Sequence, residues 1–322
     1  MSPHSPHTDM SERVPTFVSY LRVERRRGAL TVARYRAIIE AFLERLARVP
    51  ATATLHANQV TYHHCRAFLR SPGTTSTEEP SASVWNQRRA ALRSFFRYLM
   101  REEDIVKDPT AEIEHQTPDP KEPEPITLEQ FGALVDAAKA SAATYRARNA
   151  AIVTTLYFTA LRVQELVSLN LNQIDWTDYY FRNVRRKGKK RLHLKFTDVV
   201  AAGLEELLAT RGTVSADSPL FLSKRGTRLS VRGVEMLVKA LAKKAGIQQD
   251  VTPHLLRHSI VSELRRQGHR IEVAQRLCGH ASSRTTERYS HVRDEEVREA
   301  VDAVAADFSK RVRTRRRLSV AA

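Results

Sequence analysis

Apolar residues recur every three to four positions through much of the chain, the period of a helix with one buried face. Tyr35, Ile38, Ile39, Phe42, Leu43 and Leu46 form one such stripe, and Thr31 is placed to cap its helix. Leu92, Phe95, Phe96 and Leu99 form another, with Arg88, Arg89, Arg93 and Arg97 on its other faces. Between them, Ser71–Ser83 is rich in Ser, Thr, Pro and Gly and reads as a loop. Residues 14–105 therefore predict a small helical bundle with basic faces. Pro118, Pro120, Pro123 and Pro125 then fall close together. Alternating proline is incompatible with a helix and reads as an extended linker, which places a boundary over residues 106–126. Thr127 and Gln130 have capping-box spacing and open a second helical region. An apolar helix runs through Ala150–Thr159. The period then changes to two: Tyr179–Val184 and Arg191–Phe196 predict strands, and Gly188 between them marks a tight turn. Helical spacing returns from residue 198. The predicted fold class is mainly α with a small antiparallel β-sheet, in two domains. The second domain covers residues 127–309, and a basic tail covers 310–322.

Composition narrows the function classes. A hydrophobic content of 42% is too high for a wholly disordered chain. No apolar run approaches the ~20 residues of a membrane span, so no membrane partner is expected. The first ten residues lack the basic start and apolar core of a signal peptide. Cys65 and Cys278 alone cannot build a disulfide framework, which fits a reducing cytoplasm. The 53 Lys+Arg against 36 Asp+Glu leave a formal charge of +17, and nucleic acid is the default partner at such a charge. The excess is uneven: +6 over residues 1–105, −4 over 106–126 and +15 over 127–322. Such charge positions a duplex and makes binding salt-sensitive.

Three segments could carry chemistry. The turn between the two strands reads Arg185, Arg186, Lys187, Gly188, Lys189, Lys190, Arg191. A charge run at a turn is commonly a solvated edge, but a Lys on a hairpin tip also reaches into a groove of DNA. Lys187, before the glycine, is best placed. In the second segment, Thr252 suits an N-cap and Pro253 the first helical position. His254 and Arg257 then share one face of the first turn, and a helix N-terminus with Arg and His makes an anion site. His254 and His258 also have the spacing of a zinc helix, but the Glu of HExxH is absent and no Cys or acidic cluster is near, so no metal is expected. In the third segment, Gly279 lets the chain turn, His280 follows, and Ser282 or Ser283 can cap a helix carrying Tyr289. Arg162 lies in an otherwise apolar stretch, with Glu165 three residues on.

Each signal is weak alone, but the ordered set resembles the tyrosine recombinases, the family of phage integrases, Cre and the Xer-type enzymes. The family's Gly-x-Arg-x-x-Glu-Leu segment is matched by Ala160–Leu166, with Ala160 in place of glycine. The hairpin lysine is matched by Lys187, the His-x-x-Arg box by His254 and Arg257, and the Leu-x-Gly-His box by Leu277–His280. Tyr289 falls at the nucleophile. The resemblance covers roughly residues 14–305. It implies a helical core-DNA-binding, SAM-like domain and a catalytic domain that clamp DNA. It also implies cleavage and rejoining of DNA through a 3′-phosphotyrosyl intermediate, for integration, excision or resolution, without cofactor. Arg162, Lys187, His254, Arg257, His280 and Tyr289 would be catalytic, with Glu165 in support. Arg88, Arg89, Arg185, Arg186, Lys189, Lys190 and Arg191 would contact DNA. The implied partner is double-stranded DNA with inverted-repeat half-sites. The implied assembly is a homotetramer with a dimer on each site, which leaves open a second recombinase or accessory protein. Residues 293–309, with Val297, Val301, Val304 and Phe308 on one face, are the counterpart of a helix exchanged between neighbours. Two rival readings are a type IB topoisomerase-like relaxing enzyme and a non-catalytic DNA-binding protein of the same fold. The two-domain length and the filled catalytic positions favour the recombinase.

Overall fold

A computed structural model describes residues 10–49, 52, 55–72, 79–117, 124–185, 191–212, 214–278 and 294–321, for Arg191 and 315–321 the backbone alone. The chain divides into two compact units, Met1–Glu122 and Pro123–Ala322.

The first unit packs α1 (Met10–Val23), α2 (Ala29–Arg48), α3 (Tyr62–Arg70) and α4 (Ala82–Arg101) around one core. Phe17, Ile39, Phe42, Phe95, Phe96 and Leu99 are fully buried there. Phe17 meets Phe95 edge-on at 5.2 Å, and Phe42 meets Phe68 edge-on at 5.3 Å, the geometry aromatic quadrupoles favour. Helix α2 does not begin after Thr31. A turn with Arg26 at φ 47 closes α1 and leaves Gly28 extended at the N-cap, with no side-chain cap. Thr31 sits inside the first turn, its backbone N–H donating to the Gly28 carbonyl at 2.9 Å. Cys65 is on the buried face of α3, and burial pushes its thiol up to about 12.

The first part of the stretch expected as an extended linker packs on this unit. Ile105 and Ile113 are buried in its core. Trp85 Nε1 donates to the Glu114 carbonyl at 3.2 Å. Asn86 exchanges two bonds with the backbone of Gln116, at 2.6 and 2.9 Å. Pro118, Pro120 and Pro123 lie outside the described residues.

The second unit is built on α6 (Ala143–Thr159), which starts seven residues before its apolar run. Its last eleven residues are buried on every side, as expected of a helix at the centre of a core. Helix α5 (Leu128–Lys139) packs along it and opens with the expected box: the Gln130 N–H donates to Thr127 Oγ1 and the Thr127 N–H to Gln130 Oε1. Phe131 of α5 stacks on Tyr157 of α6 at 3.9 Å. After the short α7 (Val163–Val167) come β1 (Ile174–Asp175), β2 (Tyr180–Arg185) and β3 (Arg191–Lys195), antiparallel in that order. The strand β1 carries no sequence signal of its own. Phe181 faces Leu194, Val184 faces Leu192, and a register shift lies between the two pairs, where Asn183 takes φ 55. This bulge lets Phe181 and Val184, three residues apart, both point inward. Helices α8 (Asp198–Ala209), α9 (Val231–Lys244), α10 (Pro253–Arg266) and α11 (Ile271–Cys278) complete the core with α12 (Asp294–Ala321).

Helix α12 contains residues 294–309 of the segment expected to be the counterpart of an exchanged helix. Its apolar face is covered within its own chain: Val301, Val304 and Phe308 are buried, and Phe308 packs against Phe131 and Phe158. Burial of such side chains contributes roughly 1.5–3 kcal/mol each, so this docked position is a stable one. The segment from 310, which reads as a tail, continues the helix to Ala321, and Arg311 pairs with Glu129 and Asp307.

Candidate active site

Arg162 stands at the N-cap of α7, in extended backbone conformation. The Glu165 carboxylate accepts from both ends of it: the Arg162 N–H donates to Oε2 and Arg162 Nη1 to Oε1, each at 2.9 Å. Glu165 is buried while the Arg162 side chain is 43% exposed. The carboxylate thus orients the guanidinium from beneath and leaves its outer edge open. A bent chain brings Arg162 there. Helix α6 ends at Ala160 in the left-handed conformation, φ 48 and ψ 29, and Ala160 is fully buried. This conformation costs an L-residue roughly 1–2 kcal/mol, and glycine normally supplies it. The glycine-to-alanine departure noted in the sequence falls on this residue. Ala160→Val should destabilise the protein by about 2 kcal/mol, from a β-branched side chain at positive φ and overpacking. Ala160→Gly should stay within about 1 kcal/mol, because relief of the backbone offsets the lost methyl and the added chain entropy. Urea midpoints of the two variants measure the asymmetry, and equal losses would remove the strain argument.

Arg257 comes from α10, which starts as its sequence predicts: Thr252 Oγ1 accepts from the Leu255 N–H at 3.1 Å and Pro253 holds the first position. Arg257 is 4% exposed. Its Nη1 donates to the Ala160 carbonyl, and its Nη2 to the Cys278 carbonyl at 2.7 Å. One guanidinium therefore ties α10 to the ends of α6 and α11. Burial lowers its pKa, the nearby Arg162 charge lowers it further, and Glu165 opposes both. Two guanidinium groups around one carboxylate leave a net positive charge, the complement of an anion. His254, one turn before Arg257, is exposed.

The other expected catalytic residues, Lys187, His280 and Tyr289, lie outside the described residues, as do Arg186, Lys189 and Lys190. What flanks them is described. Arg185 ends β2, exposed, and pairs with Arg191 at the start of β3, so the basic run bridges a hairpin. Cys278, held by Arg257, comes two residues before His280. In the first unit, Arg88 Nη1 donates to the carbonyls of Ser71 and Phe68, and Arg89 Nε to that of Ile113. Burial lowers both pKa values. These two arginines, expected from the sequence as DNA contacts, are partly buried and brace α4 against the backbone of Phe68, Ser71 and Ile113.

Three contributors give no sequence signal. The carbonyls of Ala160 and Cys278 anchor Arg257 through the backbone. Buried Ser259 accepts from the Ile126 N–H at 3.0 Å and donates to the Leu255 carbonyl, fixing the start of the second unit to α10. Among the described residues no helix is long and apolar enough to cross a membrane.

Residues 124–296 match the model of the phage integrase family, and residues 14–103 match the N-terminal SAM-like domain of phage integrases. The chain is 33% identical over 292 residues to tyrosine recombinase XerC of Roseiflexus castenholzii, covering 89% of this chain and 90% of that protein. It is 30% identical over 287 residues to tyrosine recombinase XerC of Herpetosiphon aurantiacus, covering 88% and 91%. Its fold matches that of a lambda integrase dimer bound to a COC′ core site, with a TM-score of 0.66 at 19% identity, over 84% of this chain and 95% of that one.

Proposed function

This chain belongs to the phage integrase family and is a tyrosine-type site-specific DNA recombinase, and from that premise we propose how its own residues run the reaction. A phosphodiester repels nucleophiles, and its transfer passes through a state with more negative charge on the equatorial oxygens. Fixed donors aimed at those oxygens are the largest expected contribution. Arg162, Arg257 and His280 supply them. The supporting observation is that buried Arg257 of α10 donates to the carbonyl of Ala160, two residues before Arg162, which Glu165 orients in turn. Glu165 orients Arg162 without touching the substrate.

Tyr289 Oη attacks the scissile phosphorus while His254 takes its proton, which a phenol of ordinary pKa ≈ 10 needs near neutral pH. The bond from phosphorus to the 5′ oxygen breaks, and Lys187 protonates that oxygen. The products are a 3′-phosphotyrosyl bond and a free 5′ hydroxyl. One ester replaces another, so no external energy source is required. The 5′ hydroxyl of a partner strand then attacks the phosphotyrosine, which exchanges the strands and releases Tyr289. The basic hairpin, Arg185, Arg186, Lys189, Lys190 and Arg191, follows the duplex backbone beside Lys187.

The 14–105 and 127–309 portions each bind duplex DNA. The substrate carries inverted-repeat half-sites, with a dimer on each site and a tetramer joining two sites, in the cytoplasm at the nucleoid. The experiment starts with the full chain and a random library of inverted repeats. Duplexes selected by binding are placed twice in one plasmid. Recombination between the two copies is the expected result, with no metal or nucleotide added. Relaxation of supercoils without recombination would instead establish a topoisomerase-like activity.

A further inference from the structure

We infer that Arg228 is a positioning residue for Arg162, acting from the opposite end of α7. The inference rests on the reading that Arg162 meets the scissile phosphate. Helix α7 is only five residues long, so it spans roughly 8 Å. A helix this short has no stability of its own, and its direction depends on what grips its ends. Arg162 is its N-cap and Glu165 lies within it, so a tilt of α7 moves both the guanidinium and the carboxylate that orients it.

The N-terminal end is gripped through Ala160, whose carbonyl accepts from Arg257. The C-terminal end is gripped by Arg228. Its Nη1 donates to the carbonyls of Val167, at 2.8 Å, and Leu169, at 3.1 Å, and its Nη2 donates to Asn170 Oδ1 at 2.6 Å. The last carbonyls of a helix lack partners within it and carry partial negative charge, so a cation there satisfies both needs. The planar fork of arginine reaches three acceptors at once, which a lysine ammonium cannot do in the same geometry. The core side of the segment is held separately, by buried Leu166 and Leu169.

Arg228 is itself fixed. It pairs with Leu222 across a tight turn, and the Leu229 N–H donates to the Phe221 carbonyl at 3.0 Å. The same stretch pairs with the end of α7: the Leu220 N–H donates to the Leu169 carbonyl at 2.8 Å, and Asn170 bridges Pro219. Backbone pairing sets the distance between the two strands of chain. The guanidinium sets the angle of α7.

A double-mutant cycle separates positioning from general stability. The readout is covalent adduct formation by the full chain on a nicked duplex of the selected site, at saturating DNA. Arg228→Ala should slow it about tenfold, the scale of a misplaced catalytic group, with DNA affinity changed less than about twofold and Tm recorded alongside. Arg162→Ala should slow it on the order of 10²–10³-fold. In the double variant, Arg228→Ala should add less than about twofold, because the group it positions is gone. A further full tenfold in that background would overturn the inference, as would a single variant that cleaves like the parent chain. If Arg162→Ala itself cleaves normally, the site reading falls, and this inference with it. Should Arg228→Ala not fold, Arg228→Lys is read on the same cycle, with a slowing of about threefold.

Discussion

Tyr289→Phe should abolish the covalent protein–DNA adduct while leaving affinity for the selected site close to that of the parent chain. The substitution removes one oxygen and keeps the ring, so what is lost is the nucleophile. Loss of the attacking atom in enzymes that work through a covalent intermediate costs on the order of 10⁶ in rate. Binding draws on a different reservoir. It arises from phosphate contacts made by a chain with 53 Lys+Arg and a net charge of +17, and a phenol hydroxyl contributes nothing to counterion release. The two quantities should therefore separate completely: no denaturant-resistant adduct on a nicked duplex, and an unchanged binding isotherm at fixed salt. A persistent adduct would mean that another side chain is the nucleophile, and the roles given to His254 and Lys187 would need reassignment. A joint loss of adduct and affinity would mean that Tyr289 is part of the DNA-binding surface.

That the assignment could be made from the sequence reflects where its signals are strong. The Thr127 box and the Thr252–Pro253 start are local devices, with partners three residues away, so spacing alone locates them. The stripes of α2 and α4 were legible for the same reason: Ile39, Phe42, Leu92, Phe95 and Phe96 recur at helical period and are buried. Long-range and backbone relations were not legible. Nothing in the letters shows that Arg257 takes the carbonyls of Ala160 and Cys278, since every residue has a carbonyl. The start of α2 at Ala29 depends on the Arg26 turn and overrides the capping preference of Thr31. The packing of residues 113–116 was not legible because proline reports local stiffness, whereas Ile113, Glu114 and Gln116 are held by α4, some 24 to 30 residues earlier. The docking of α12 was hidden because an apolar face looks the same whether its own chain or a neighbour covers it. At the site, residue types identified the chemistry, and contacts distant in sequence determine its geometry.

Arg257→Ala should affect rate and stability together, and the pairing distinguishes Arg257 from Arg162. The rate effect follows from charge. With Arg257 gone, Arg162 remains beside Glu165, and the surplus positive charge that complements the phosphate disappears. Loss of one such donor costs on the order of 10²–10³ in cleavage. The stability effect follows from burial. Arg257 is 4% exposed and satisfies the carbonyls of Ala160 and Cys278. Alanine leaves both buried acceptors without this donor and opens a cavity between three helix ends. An unsatisfied buried group costs about 1–3 kcal/mol, part of it offset because a charge no longer has to be desolvated. A net loss of about 2 kcal/mol would lower Tm by roughly 4–8 °C in a unit of this size. Arg162→Ala should match the rate loss with a smaller drop in Tm, because the Arg162 side chain is 43% exposed and pairs with Glu165 of the helix it caps. Arg257→Lys keeps the charge but cannot span both carbonyls and a phosphate oxygen, so it should recover stability more than rate. If Arg257→Ala slows cleavage without lowering Tm, the three-element tie is not structural. If it lowers Tm and leaves cleavage at saturating DNA unchanged, Arg257 does not touch the phosphate, because a buried clamp that reads the transition state cannot be removed at the expense of stability alone.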